Sequence, residues 1–297
     1  MSTVEQVERV FAGRRRRALV PNRPATIVGA VIVGAFIVLA LASGLLHGPA
    51  YEQDLIARLQ PPAYADGGSW SHPLGTDSLG RDVAARIAVS IRISLSVAAT
   101  AVLIAGLAGL VLGLVAGYAG GWLDDVVMRL TDAAIAIPLV LLALTVIAVL
   151  GTDFRTLVIV IAATQWMTYA RTARAETLVI REQPYVVAAR SLGASTASLL
   201  ARHVLPHVLP SMLALATLNV SVVILLEAAL SYLGLGVQLP DPSLGSMLSE
   251  GRQYITRATW LGIWPGATLF VLVLGVNLLG EGLRAIFDPH SRQARSS

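Results

Sequence analysis

An all-α polytopic membrane protein with six transmembrane helices is the fold class this sequence predicts, and three observations predict it. Of 297 residues, 55% are hydrophobic and only 13% are charged, whereas a water-soluble domain carries about 25% charge. The apolar residues gather into runs of about 20, the length that crosses a hydrocarbon core of about 30 Å as a helix. No cysteine is present, so no disulfide framework, thiol nucleophile or thiolate metal site contributes.

All 22 basic residues are arginine. A phosphate-binding G-x-x-x-x-G-K-[ST] loop and Schiff-base chemistry both need a lysine, so any ATP chemistry belongs to another chain. Arg14 to Arg17 stand beside an apolar run and not along an aromatic-studded polar surface, which reads as a topology signal and not as nucleic-acid binding.

Residues 1–26 form a polar N-terminal tail, and Ile27 to Leu46 a first transmembrane helix. Ala40-Leu41-Ala42 resembles a signal-peptide cleavage site, but the apolar core of such a peptide is only about 7–15 residues long, so the run reads as an anchor. Residues 47–92, with Pro49, Pro61, Pro62, Gly67 and Gly68, are too punctuated for a long helix and form an extracytoplasmic segment. The remaining five spans lie within 93–284. Ile93 to Gly117 carries Gly109, Gly113 and Gly117 four apart, a face cleared for a close neighbour. Gly120 to Asp132 is a polar connection, and Ala133 to Leu150 is a span kinked at Pro138, which lacks a backbone N–H. A fourth span starts at Thr156, passes Gln165 and Trp166, and ends near Arg171 or Arg174. Val208 to Gly236 and Trp260 to Leu283 are the fifth and sixth, separated by a loop at 238–259, and 285–297 form a short polar tail.

Six spans put both termini on one side. With the N-terminus inside, 15 arginines fall in inner segments and 7 in outer ones, which orients the chain with cytoplasmic termini. A polar island at about 171–207 is then cytoplasmic. Within it Pro184 suits a helix start, Gly193 the left-handed turn at a helix end, and Ser195 a second cap. Ala197, Leu200 and Val204 form one apolar stripe before Pro206 stops the helix. On periodicity alone the stretch Tyr185 to Pro206 is either a compact plug for a protein groove or an amphipathic loop whose Arg190 and Arg202 touch lipid phosphate.

Ala188-Ala189, Gly193 and Leu205-Pro206 stand where the "EAA" signature of ATP-binding-cassette importer permeases has its Ala-Ala, its Gly and its terminal Leu-Pro. HPLGTDSLGRD at 72–82, GGWLDDVVMRLTD at 120–132, EAALSYLGLG at 227–236, PDPSLGSML at 240–248 and NLLGEGLRAIFDP at 277–289 extend the resemblance. Together they resemble the "C" permease subunit of dipeptide and oligopeptide importers, with nickel importers closely similar. The resemblance implies a type I importer permease in a bacterial cell membrane. It would pair with a homologous permease, two ATPase subunits or one fused ATPase, and an extracytoplasmic solute-binding protein, with lipid around it. ATP and magnesium would sit in the ATPases and no cofactor in this chain. The coupling loop at 185–206 would dock on an ATPase through Tyr185, Val187, Ala188, Ala189, Arg190, Gly193, Leu205 and Pro206. Val187 occupies the signature's acidic position, so an ion pair there is missing and the small residues must carry the fit by shape.

Polar residues inside spans are the pathway candidates. Glu227 falls about 27 Å up the fifth span by residue count, near the outer interface, as an outer-gate or packing residue or a ligand for a peptide amine. Asn219, about 15 Å up, hydrogen-bonds either a passing peptide or a neighbouring helix, and Gln165 carries the same two readings. Glu281 and Arg284, three apart, are expected to pair. His72, Asp77 and Asp82 invite a metal reading, but Pro73, Gly75 and Gly80 around them read as a turn and helix entry. His203 and His207 are four apart without an H-E-x-x-H pattern. A secondary transporter would want an ionisable midplane site, which is lacking. A serine hydrolase would want a base beside a nucleophile elbow, and no residue pattern here is catalytic.

Overall fold

A computed structural model describes residues 23–238 and 240–287. Arg9, Arg14 to Arg17, Arg292 and Arg295, on which the orientation partly rests, lie outside the described residues. Apart from one isolated bridge between Thr76 and Asp82, the regular elements described are all helical. In order they are α1 (Arg23–Ala42), α2 (His47–Tyr51), α3 (Val83–Ala119), α4 (Gly121–Ile135), α5 (Leu139–Leu150), α6 (Phe154–Ile180), α7 (Pro184–Ser191), α8 (Thr196–Leu199), α9 (Leu205–Tyr232), α10 (Leu244–Gln253) and α11 (Trp260–Phe287).

Four helical stretches are long and apolar enough to cross a membrane: Pro24–Leu46, Val83–Ala119, Thr196–Tyr232 and Trp260–Arg284. A fifth is available if α4 and α5 count as one broken span. Length and composition alone thus pick out four or five of the six expected spans. α6, the expected fourth span, has 27 residues, and its uncharged stretch from Thr156 to Ala170 covers about 22 Å before Arg171, Arg174 and Glu176. Leu157, Val160, Ile161, Tyr169, Ala170 and Ala173 on it are all buried.

Three boundaries also differ from the apolar pattern. The second span begins at Val83, because Asp82 caps α3 by accepting a hydrogen bond from Ala85 N at 2.8 Å. Gly120 to Asp132 is helix α4 and not a loop; its Asp124 and Asp132 bind Arg174 and Arg171 of α6. At Pro138 the chain turns by 90° between α4 and α5, a break where a kink is expected. Pro138 is extended at ψ 131° and becomes the cap of α5.

The centre of the bundle is the α3–α6 pair. A Cβ added at Gly109 would lie 2.5 Å from Trp166 O, one at Gly113 2.4 Å from Ala170 O, and one at Gly117 2.9 Å from Arg174 O. The glycine ladder thus lets two backbones touch over two turns, which only small residues allow. α9, α11 and α1 close around this pair.

At the end of the bundle holding the α3 N-terminus, His72 to Asp82 folds into a knot. Asp77 is fully buried; its carboxylate accepts from Leu79 N at 2.8 Å and from Arg81 Nε at 2.6 Å, and also binds Arg86. Arg86 Nη1 reaches Glu250 of α10 at 3.0 Å, and Ser78 Oγ donates to the same carboxylate at 2.6 Å. His72 Nδ1 lies 2.9 Å from Asp82 Oδ2. These contacts tie the loop before α3 to α10, the turn-and-cap role expected of them, and leave the buried Arg86 Nε without a partner. Among the described residues no three His, Asp or Glu side chains are placed to hold a metal ion.

Candidate functional site: the α7–α8 island

The island lies at the opposite end, where α3 and α6 finish. Pro184 opens α7 without the loss of a helical hydrogen bond, since the first N–H groups have no partner in any case. Gly193 closes it at φ +86°, with Gly193 N donating to Arg190 O at 3.0 Å and Ala194 N to Ala189 O at 3.2 Å. That paired arrangement is a Schellman motif, whose left-handed residue costs glycine nothing. Ser195 then accepts from Ser198 N to start α8.

From α8 onward the expected plug changes shape. Pro206 does not stop the helix: Leu200–Val204 forms a π-helical turn that joins α8 to α9, so one helical stretch runs from Thr196 to Tyr232. Leu205 N donates to Leu200 O, five residues back, and this widened turn accommodates a following proline that has no N–H to give. The extra residue also shifts the apolar face. Leu199, Val204 and Val208 are buried, while Ala197 is exposed and Leu200 only half-buried. The stripe therefore runs 199, 204, 208 and not 197, 200, 204.

α7 has two distinct faces. Val186 is fully buried in the main core, Ala189 packs on that core, and Arg190 lies one turn beyond Val186 with its guanidinium carbon 5.6 Å from the Tyr118 ring centroid. The other face holds Val187, Ala188, Ser191 and Leu192, all exposed, with Leu192 89% exposed. Tyr185, at the start of α7, stacks obliquely on His207, ring centroids 5.6 Å apart. His207 Nδ1 is itself 2.8 Å from His203 O, so the two histidines do not converge on a common point. The expected docking set thus divides. Val187 and Ala188 face outward, Gly193 is exposed at the bend, Ala189 packs on the bundle, Arg190 is exposed but lays its guanidinium over Tyr118, and Leu205 and Pro206 belong to the joint with α9. Leu192 was not singled out by sequence; its spacing from Val187, Ala188 and Ser191 is the signal that could have found it.

The expected pathway residues are not brought together. Glu227 is fully buried, accepting from Ser94 Oγ of α3 at 2.6 Å and Ser231 Oγ at 2.7 Å. It is a buried tie between α9 and α3. Asn219 is buried beside Tyr169 of α6, and neither Asn219 Nδ2 nor Tyr169 Oη has a hydrogen-bond partner of good geometry. Gln165 is half-buried one turn before Tyr169. Glu281 and Arg284 are both exposed and form no ion pair with each other, contrary to their spacing. Asp153, which caps α6, has its carboxyl held below the usual range by the hydrogen bond from Thr156 N.

Residues 109–293 match the family described as "Binding-protein-dependent transport system inner membrane component". The dipeptide transport system permease protein DppC of Alkalihalophilus pseudofirmus is 38% identical over 263 residues, 89% of this chain and 85% of that one. The glutathione transport system permease protein GsiD of Shigella flexneri is 42% identical over 224 residues, 75% of this chain and 74% of that one. An inward-facing structure of the MetNI methionine ABC transporter aligns with TM-score 0.51 at 20% identity, covering 67% of this chain and 96% of that chain, which supports the fold. With its all-helical bundle and several membrane-crossing helices, the chain belongs to the binding-protein-dependent transport inner membrane components and is a multi-pass permease subunit of an ATP-binding-cassette importer.

Proposed function

We propose that this subunit forms half of the translocation path of an importer for dipeptides or oligopeptides, and that the outward face of α7 is its contact with an ATPase. The observation that carries the reading is the division of α7. An inner face packed into the core makes the segment rigid, and an outer face of Val187, Ala188, Ser191 and Leu192 stays uncovered. The missing acid at Val187 leaves an apolar, small-residue surface that fits a groove by shape.

The remaining parts follow from membership of the family. The partner across the path is a homologous permease, and two ATPases or one fused ATPase bind the ATP and magnesium. A solute-binding protein delivers substrate to the opposite end, at 47–92 and 238–259. The island and both termini are cytoplasmic in a bacterial cell membrane. Peptide is favoured over nickel because the relatives named above are dipeptide and glutathione permeases. Docked loops drawn together by ATPase closure would tilt the attached helices; switching a two-state path almost fully needs a bias of about 5.5 kcal/mol.

The test is uptake by the reconstituted assembly in vesicles with labelled dialanine, a longer peptide, glutathione and nickel. ATP-dependent entry of a peptide is expected. Uptake driven by an ion gradient without ATPase, or nickel entry alone, would overturn the reading.

A further inference from the structure

Arg190 sits where a docking residue is expected, yet its partners lie within this chain. Its guanidinium carbon is 5.6 Å from the centroid of the Tyr118 ring, within cation–π range, and Nη2 reaches Arg181 O at 3.4 Å. Arg181 caps the end of α6 and donates from Nη1 to Gly117 O at 2.7 Å, while its Nε holds Glu182 at 3.0 Å. Three residues therefore strap α7 to the last turn of α3 by way of the end of α6. That last turn carries Gly117, the final rung of the glycine ladder, where a Cβ would lie 2.9 Å from Arg174 O, so the α3 and α6 backbones are still in close contact there. A displacement of α7 reaching Tyr118 thus meets α3 and α6 as one body. The second route out of the island, through α8 into α9, passes a π-helical turn, a local widening of the helix that yields more readily than a backbone-to-backbone contact.

We propose that Arg190 and Tyr118 form a transmission latch: Arg190 is a positioning residue that carries movement of the docked α7 to the α3–α6 pair, and it does not contact the ATPase. The latch rests on the reading of α7 as the ATPase contact. It predicts coupling defects separate from docking defects.

Two measurements test it. In the assembly reconstituted with partner permease, ATPases and solute-binding protein, ATP hydrolysed per dialanine or glutathione imported is compared among variants. Arg190→Ala and Tyr118→Leu should each raise the ratio about two- to fivefold, the range of one cation–π contact. The double variant should be no worse than either alone. Tyr118→Phe should keep the wild-type ratio, and ATPase should co-purify with all of them. Additive defects, an unchanged ratio, or loss of ATPase from Arg190→Ala alone would overturn the latch.

The second measurement needs no partner. The chain has no cysteine, so spin labels on cysteines placed at Val115 and Ser191 report one distance in lipid nanodiscs. The distribution should be narrow in wild type and Tyr118→Phe and broad in Tyr118→Leu. Equal widths would overturn the latch even if the assembly imports nothing, whereas failure of import with the expected broadening would count against the peptide-importer reading and leave the latch standing.

Discussion

The two polar ends of the bundle solve the same problem in opposite ways. At the α3 N-terminus, Asp77, Arg81, Arg86, Ser78 and Glu250 bind one another inside the chain, and Trp260 Nε1 donates to Thr76 O at 3.1 Å to seal the knot. At the island, the contacts to other helices come from the inner side of α7, and the opposite side, with Val187, Ala188, Ser191 and Leu192, is exposed. A polar cluster whose partners lie within the chain holds that chain in place. A helix with one face buried and an apolar residue such as Leu192 exposed on the other leaves the surface that the proposed ATPase contact would cover.

Substitution at each end separates scaffold from interface. Asp77→Ala has the largest expected effect, because it strands two arginines in a dry site; about 3–5 kcal/mol of stability should be lost, read as a fall in Tm of the detergent-solubilised protein with little yield of folded chain. Leu192→Asp should leave Tm unchanged but weaken ATPase binding about 30-fold or more, the loss of a central apolar contact at about 2 kcal/mol, measured by co-purification and titration. A Tm drop in that variant would move Leu192 from the interface to the scaffold.

Val187→Glu restores an acid at the signature position and sharpens the comparison further. With Tyr185 and Leu192 exposed beside it, the partner groove is expected to be apolar, so docking should weaken about fivefold, or about 1 kcal/mol; tighter docking would instead reveal a basic counterpart. The smallest effect is expected at Glu227→Gln. The amide keeps an acceptor for Ser94 or Ser231 and can donate to the other hydroxyl, so stability should fall by about 0.5 kcal/mol. KM for peptide should stay at the wild-type value, and a raised KM would return Glu227 to the path.

Much of this was legible from local pattern. Gly109, Gly113 and Gly117 announced a close helix contact because their spacing alone places them on one face. Gly193 announced a left-handed bend because few other residues tolerate it. The Ala188-Ala189, Gly193 and Leu205-Pro206 positions were readable only through the family resemblance, because periodicity alone left the stretch open between a plug and a surface loop. Other features were not. The π turn at Leu200–Val204 adds one residue to the helical repeat, so periodic assignment across it slips: of the stripe read at Ala197, Leu200 and Val204, Val204 is fully buried, Leu200 half-buried and Ala197 exposed, with Leu199 buried in its place. The polar run from Gly120 to Asp132 looked like a loop because its aspartates are paired by Arg171 and Arg174, residues about 40–50 positions away that no local pattern links to it. Arg190 looked like a surface cation because nothing near it in sequence names Tyr118.

The sequence by itself determined that the chain is helical and membrane-embedded, and which stretch stands apart from the membrane runs. Composition and run length act through the solvent and the peptide backbone, which are the same wherever a residue sits. Only the tertiary structure decided which residues of that stretch are buried and which stay exposed, that the glycine face of α3 meets α6, and that Glu227 is a buried tie. Those properties depend on which distant side chain lies opposite, and a contact between Arg190 and Tyr118 exists only once α3, α6 and α7 have packed.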